Sequence, residues 1–258
     1  MIKALYTAAT GMKAQQMRID VIANNLANVN TTGFKRSNVN FEDLLYSTLR
    51  NPNERTQNGV RPSGLQIGTG SRLVNTSKVF TPGSLEETGN PLDLVITGSG
   101  FFQLQDISGS TVYSRDGNFM VDRDGSVVNS QGLKLIPNIS LQPNAKVAVG
   151  VDGVVTQVVG DTSSQVGQIQ LASFTNPAGL EAIGGNIFRK SEASGEAVTG
   201  TPGAAGYGGL VGGFLESSNV EVVNELVGLI TSQRAYETSS RAISAADEML
   251  TTVNQIVR

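Results

Sequence analysis

A heptad pattern of apolar residues at both chain ends constrains this sequence more than any other feature. Near the N-terminus, steps of three and four select Ile2, Leu5, Ala9, Met12, Gln16, Ile19, Ala23 and Leu26. Seven of these eight are apolar, and residues 1–29 contain no Pro and only one Gly, Gly11. Residues so spaced share one side of an α-helix, so the pattern predicts a helix about 40 Å long. It stops near Asn28–Asn30, with Gly33 beyond as a breaker. At the other end, Ser218 followed by Glu221 reads as a capping box. From there Val222, Leu226, Leu229, Gln233, Tyr236, Ser240 and Ile243 keep the spacing. Asp247 interrupts it, and Leu250, Val253 and Val257 resume in a shifted phase, as at a stutter. With no Gly or Pro after Gly228, this helix is predicted to run about 55 Å.

Both helices are apolar on more than one side. Residues 1–29 carry only Lys3, Lys13, Arg18 and Asp20 as charges, while Tyr6, Met17, Val21 and Ile22 stand off the seam. Val223, Val227, Ile230 and Met249 do the same in the C-terminal helix. A helix apolar on several faces is buried on several faces. Two arrangements satisfy that demand. The helices pack across a domain of the same molecule, or other copies of the chain cover them. A contact from one copy to the next that does not close builds a filament.

The middle has a different period. Between about Ser71 and Gly213, short β-type runs alternate with Gly turns. Asp116-Gly117, Asp124-Gly125 and Asp152-Gly153 each stand between such runs, which predicts hairpins. Residues 50–64 are polar and aperiodic, and residues 194–213 are rich in Gly, Ala, Thr and Pro. The expected fold class is therefore α+β. N- and C-terminal α-helices form a paired, coiled-coil-like domain (residues 1–30 plus 218–258). Residues 31–70 are an extended connecting segment. A central antiparallel β-rich domain with its exit linker spans residues 71–213.

Composition narrows the chemistry. The 258 residues include no His, Cys or Trp. That excludes Ser-His-Asp and Cys-His nucleophilic catalysis, and zinc sites built on imidazole or thiolate. Net charge is −3, which offers no bulk electrostatic case for nucleic acid or anionic lipid. No run of 18 apolar residues could span a bilayer, so no membrane insertion is expected. Met1–Tyr6 lacks the apolar stretch of a Sec signal. Asp122-Arg123-Asp124-Gly125 begins like a calcium loop but lacks its later ligands, so a hairpin turn is expected. Gly98-Ser99-Gly100 is a tight turn, since a dinucleotide loop needs a following helix. Asp93 with Asp106, or Glu86 with Glu87, are the acid pairs a glycosidase would need, and nothing singles them out. Arg234, Glu237 and Arg241 fit intrahelical ion pairs or contacts to neighbouring copies. No catalytic residue, metal or cofactor is expected.

The stretch Ile22-Ala23-Asn24-Asn25-Leu26-Ala27-Asn28-Val29-Asn30-Thr31-Thr32-Gly33-Phe34-Lys35-Arg36 closely resembles the N-terminal motif of flagellar axial proteins, the rod and hook family. Glu216-Ser217-Ser218-Asn219-Val220, leading into Gln233-Arg234-Ala235-Tyr236-Glu237, resembles that family's C-terminal motif. Phe41-Glu42-Asp43-Leu44-Leu45-Tyr46 and Ser63-Gly64-Leu65-Gln66-Ile67-Gly68-Thr69-Gly70 are similar to the distal rod branch.

The resemblance implies a structural subunit rather than an enzyme. It would self-assemble into a rigid hollow helical shaft that carries torque to the hook. Implied partners are further copies of the chain, proximal rod proteins, the hook protein, the P-ring and L-ring, and the flagellar type III export apparatus. The implied location is the basal body, in the rod that crosses the periplasm to the outer membrane. Terminal segments would be poorly ordered in the monomer and would fold on assembly. The expected helical assembly residues are Ile2, Leu5, Met12, Ile19, Asn24, Asn25, Leu26, Asn28, Leu226, Leu229, Gln233, Arg234, Tyr236, Ile243 and Leu250. The expected rod-specific residues are Phe41, Leu44, Leu45, Tyr46, Gly64, Leu65 and Ile67, flanking a stiffening arm within about 46–63. The alternatives are a proximal rod or hook protein, a secreted β-domain glycosidase, or an adhesive module.

Overall fold

Two long helices open and close the fold, α1 (Ile2–Ala27) and α2 (Val222–Ile256), with short strands between them. The computed structural model describes residues 2–50, 55–56, 59–60, 64–142, 145–160 and 162–256, with the backbone alone at 2, 55–56 and 59–60. The class is α+β, as the two sequence periods require. α1 stops where Asn28 begins a turn, its carbonyl accepting from Thr31 N at 3.2 Å. Gly33 follows with φ +66°. The expected capping box does not form. Ser218 Oγ accepts from Val220 N at 3.3 Å, and the Glu221 carboxylate accepts from Asn224 Nδ2 at 2.5 Å. Residues 217–220 are held in a non-helical conformation by other bonds, so the helix starts beyond them.

The chain divides into two compact units. The first comprises Met1–Leu26, Ser37–Ser77 and Glu221–Arg258. Besides the helices it holds β1 (Ser37–Asp43), β2 (Tyr46–Arg50), β3 (Arg55–Thr56), β4 (Gly59–Val60), β5 (Leu65–Gly68) and β6 (Ser71–Lys78). β1 pairs with β6, β2 with β5 and β3 with β4. The segment expected to be an extended connection is thus a series of two-stranded ladders. Gly68-Thr69-Gly70 makes this possible by turning the chain back. Gly70 lies at φ +125° with its backbone against α1, where a Cβ would overlap Thr10 Oγ1. Its carbonyl accepts from Leu44 N at 2.8 Å, and Thr69 Oγ1 donates to Leu45 O at 2.6 Å.

The second unit comprises Ala27–Arg36 and Lys78–Val220. A nine-stranded sheet is its largest element. At its centre, strand 101–105 pairs antiparallel with 111–114, 134–135 and 171–173. Ladders 94–97/209–212 and 85–87/214–216 and a three-stranded meander from 146 to 168 complete it. Leu94, Ile96, Phe102, Leu104, Phe119 and Leu171 form its dry core. Phe80, Phe101, Tyr113, Phe174 and Phe188 make a second cluster with edge-to-face rings, the arrangement aromatic quadrupoles favour.

Two of the three Asp-Gly turns are hairpins. Gly125 and Gly153, both at φ +79°, close ladders 119–121/127–129 and 146–149/154–159. Asp116-Gly117 is not a hairpin. The strand before it pairs with 101–105 and the strand after it with 127–129, and Gly117 lets the chain pass so close to Leu94 O that a Cβ would overlap it. Residues 194–213 are not a linker either. Val198–Gly200 pairs with 171–173, and Gly209–Gly212 pairs with 94–97. Gly-rich composition here serves close backbone approach, as where Gly208 meets Gly98.

Candidate assembly surfaces of the chain ends

Within the second unit, the N-terminal and C-terminal motifs meet in a buried polar clasp. Gly33 N donates to Glu216 O at 2.8 Å. A Cβ on Gly33 would lie 2.7 Å from Asp116 N and 2.9 Å from Arg115 C. The next residues, Phe34 and Lys35, are buried. Lys35 Nζ donates to Glu216 Oε1 at 2.5 Å and to Thr81 O at 2.8 Å. Arg115 reaches the same carboxylate at 3.7 Å, an ion-pair separation too long for a hydrogen bond, and donates to Ile96 O and Gly98 O. The group thus holds two cations and one anion out of water. Burial lowers the pKa of both cations, and the Glu216 charge opposes the fall. Asn219 closes the clasp. Its Oδ1 accepts from Arg36 N at 2.7 Å, and its Nδ2 donates to Val79 O at 2.7 Å and Thr81 O at 3.1 Å. One side chain therefore ties together three segments at the points where the chain leaves this unit.

Within the first unit, α1 and α2 run antiparallel. Asn25 Nδ2 donates to Glu225 Oε1 at 3.4 Å, a Cβ on Gly228 would meet Ile22 Cδ1 at 3.3 Å, and one on Gly11 would meet Ser239 Oγ at 3.7 Å. The buried side of α1 holds Ala14, Ile22 and Asn25, and that of α2 holds Glu225, Ser232 and Ala246. These positions lie beside the apolar seams read from the sequence. Of the seam residues, Leu5, Met12, Ile19, Leu26, Leu229, Ile243 and Leu250 are half-buried. Leu226 and Tyr236 remain 43% and 40% exposed, and Gln233 and Arg234 are exposed as well. Asn24 is exposed and Asn28 half-buried, while the Ile2 side chain lies outside the described residues. Off the seam, Tyr6, Val223, Val227 and Ile230 are exposed. Contact between α1 and α2 thus falls on Ile22 and on small and polar residues, while Leu226, Tyr236 and the off-seam apolar side chains stay exposed.

The rod-type segments run into the β2–β5 ladder, where Tyr46 is opposite Gly68. Phe41 and Leu44 are half-buried, while Leu45, Tyr46, Gly64, Leu65 and Ile67 are exposed, Leu45 at 87%. Residues 51–54, 57–58 and 61–63 of the arm lie outside the described residues. The other candidates resolve simply. Asp122–Gly125 is a hairpin turn. Asp93 is buried against Asn90, and Asp106 sits in an exposed turn where the Ser108 hydroxyl lowers its pKa. Glu86, Glu87, Arg234, Glu237 and Arg241 are exposed. Among the described residues, no three acidic side chains converge on a metal-sized space. Sequence reasoning missed the roles of Lys35, Arg115, Glu216, Asn219 and Glu225. Four of these are charged residues that the fold buries, and no local pattern announces that.

Three family models match the chain. Flagella basal body rod protein covers residues 5–35, the flagellar hook protein FlgE/F/G D1 domain covers 95–157, and the flagellar basal body rod FlgEFG protein C-terminal covers 211–256. The flagellar basal-body rod protein FlgG of Buchnera aphidicola subsp. Schizaphis graminum is 44% identical over 260 residues, 99% of this chain and 100% of the relative. That of Borreliella burgdorferi is 43% identical over 265 residues, the whole of both chains. The chain belongs to the FlgG family of flagellar basal-body rod proteins. As a FlgG-family member it is a structural rod subunit. Its N-terminal match holds α1 with the Gly33–Lys35 half of the clasp, and its C-terminal match holds Glu216–Asn219 with α2. No described helix is long and apolar enough to cross a membrane.

Proposed function

We propose that this rod subunit polymerises through the outward faces of α1 and α2 into the hollow, straight distal shaft that carries torque to the hook. The observation carrying the proposal is the division of the helix surfaces. Ile22 with small and polar positions serves contact between α1 and α2, and Leu226, Val227, Ile230 and Tyr236 stay exposed on α2. Covering what remains exposed of one such side chain contributes about 1 kcal/mol, so a polymer with many of these contacts is favoured cooperatively. Residues 1–30 and 218–258 form the assembling core in this reading, with coiled-coil-like contacts between copies along the Leu5–Leu26 and Leu226–Leu250 seams.

The finer partners follow from the same reading. Proximal rod proteins lie on one side and the hook protein on the other. The β-rich unit meets the P-ring and L-ring, and the type III apparatus delivers the chain across the periplasm. Phe41–Tyr46 and Gly64–Ile67 position the arm between them, about 46–63, which stiffens the shaft. The test is the full-length variant Leu226→Gln/Val227→Gln/Ile230→Gln. These side chains are exposed or nearly so, and surface changes of this kind stay within about 0.5 kcal/mol each. The expected result is an unchanged unfolding midpoint together with loss of polymer and motility. Rods of normal length from this variant would overturn the proposal.

A further inference from the structure

Few contacts define how α1 and α2 align. Asn25 meets Glu225, Ile22 meets Gly228, and Gly11 meets Ser239. The residue numbers of each pair add to the same total, so one antiparallel register runs along the helices. The side of α2 that faces α1 nevertheless repeats itself. Glu225, Ser232, Ser239 and Ala246 follow one another at intervals of seven, all buried or half-buried. After Glu225 every member is small. Sliding α2 by one heptad, about 10 Å, would set Ala246 opposite Gly11 and Ser232 opposite Asn25. No bulky side chain in this ladder resists that slide. Ser232 Oγ is buried and makes no hydrogen bond, so it does not favour the observed register over the slipped one.

Glu225 is the exception in the ladder, and its partner is held in place. Asn25 is 2% exposed. Its Oδ1 accepts from Ser37 N at 2.9 Å and its Nδ2 donates to Ser37 O at 2.9 Å. Both amide atoms are fixed on the first residue of β1, which leaves the second Nδ2 proton directed at Glu225 Oε1. Glu225 is itself 8% exposed. A slipped helix would replace the long Glu225 side chain opposite this amide proton with the much shorter Ser232 hydroxyl, and would carry the carboxylate past the end of α1. A single buried polar pair in an otherwise permissive helix interface is a known means of fixing register.

We propose that the Asn25–Glu225 hydrogen bond is the register-determining contact of the terminal helix pair, selecting one alignment from several that the small-residue ladder would accept. It is a property of the single chain and stands apart from the polymer reading. The absence of Cys from the chain makes disulfide trapping a clean test. Purified full-length protein carrying Gly11→Cys/Ser239→Cys reports the observed register, and Gly11→Cys/Ala246→Cys reports the slipped one. With Glu225 intact, the first pair is expected to cross-link at least about tenfold more than the second. Glu225→Leu should bring the two yields together at unchanged helix content by circular dichroism. Glu225→Gln, which keeps an oxygen acceptor for Asn25, should retain the native preference. An unchanged preference in Glu225→Leu would overturn the proposal. So would equal yields with Glu225 present, or loss of both cross-links with loss of helix, since the pair would then act on stability alone.

Discussion

At the scale of single residues, the clasp makes the sharpest demands. Gly33 combines φ +66° with backbone atoms where a Cβ would have to go. Gly33→Ala is expected to cost about 2–4 kcal/mol, the sum of left-handed strain and overpacking. Urea unfolding of the full-length chain measures it, and a shift below about 0.5 kcal/mol would mean the loop relaxes freely. Lys35 carries a second prediction. Its folded pKa lies below the unfolded 10.5 because burial outweighs the attraction of Glu216. Just below pH 10.5 the unfolded chain therefore holds more protons, and the stability this group controls rises with pH through that window. Lys35→Met should flatten the rise. It should also cost about 3 kcal/mol, since Glu216 loses its closest cation and keeps only the Gly83 N–H at 2.8 Å and the longer Arg115 contact. Gly33 was legible in the sequence only as a helix breaker. Its closer constraint comes from Asp116, far along the chain, and no local reading reaches that distance. Lys35 reads like an ordinary surface cation for the same reason.

At the scale of elements, legibility follows how local the cause is. The two helices and the Asp124-Gly125 and Asp152-Gly153 hairpins were readable because period and turn chemistry act within a few residues. The Ser218/Glu221 capping box failed because Asn219 is engaged with Arg36, Val79 and Thr81. Residues 194–213 looked like a linker because Gly and Thr also suit a strand pressed against another backbone. The apolar seams were legible, but the face that joins α1 to α2 was not. The face joining α1 to α2 is marked by Gly, Ala, Ser and one Asn–Glu pair, a weak signal beside heptads of Leu and Ile. The arm belongs at this scale too. Deleting residues 51–63, between β2 and β5, is expected to leave assembly intact and yield curved, flexible polymers by electron microscopy. Polymers as straight as the wild type would remove the arm from the account of stiffness.

At the scale of the whole molecule, sparse charge and doubly apolar helices make sense only if the isolated chain is an incomplete object. The β-rich unit has a dry core of its own. The helical unit instead leaves Leu226, Tyr236 and Ile256 in water, a surface that a polymer would cover. The clasp and the helix pair each join an N-terminal segment to a C-terminal one, so both ends are positioned together for assembly. The most direct measurement is a cryo-EM reconstruction of the assembled shaft, at a resolution that places side chains. The account predicts α1 and α2 around a central channel, with Leu226, Val227, Ile230 and Tyr236 buried against neighbouring copies. Finding those residues in solvent, with subunits joined through their β-rich units alone, would contradict it.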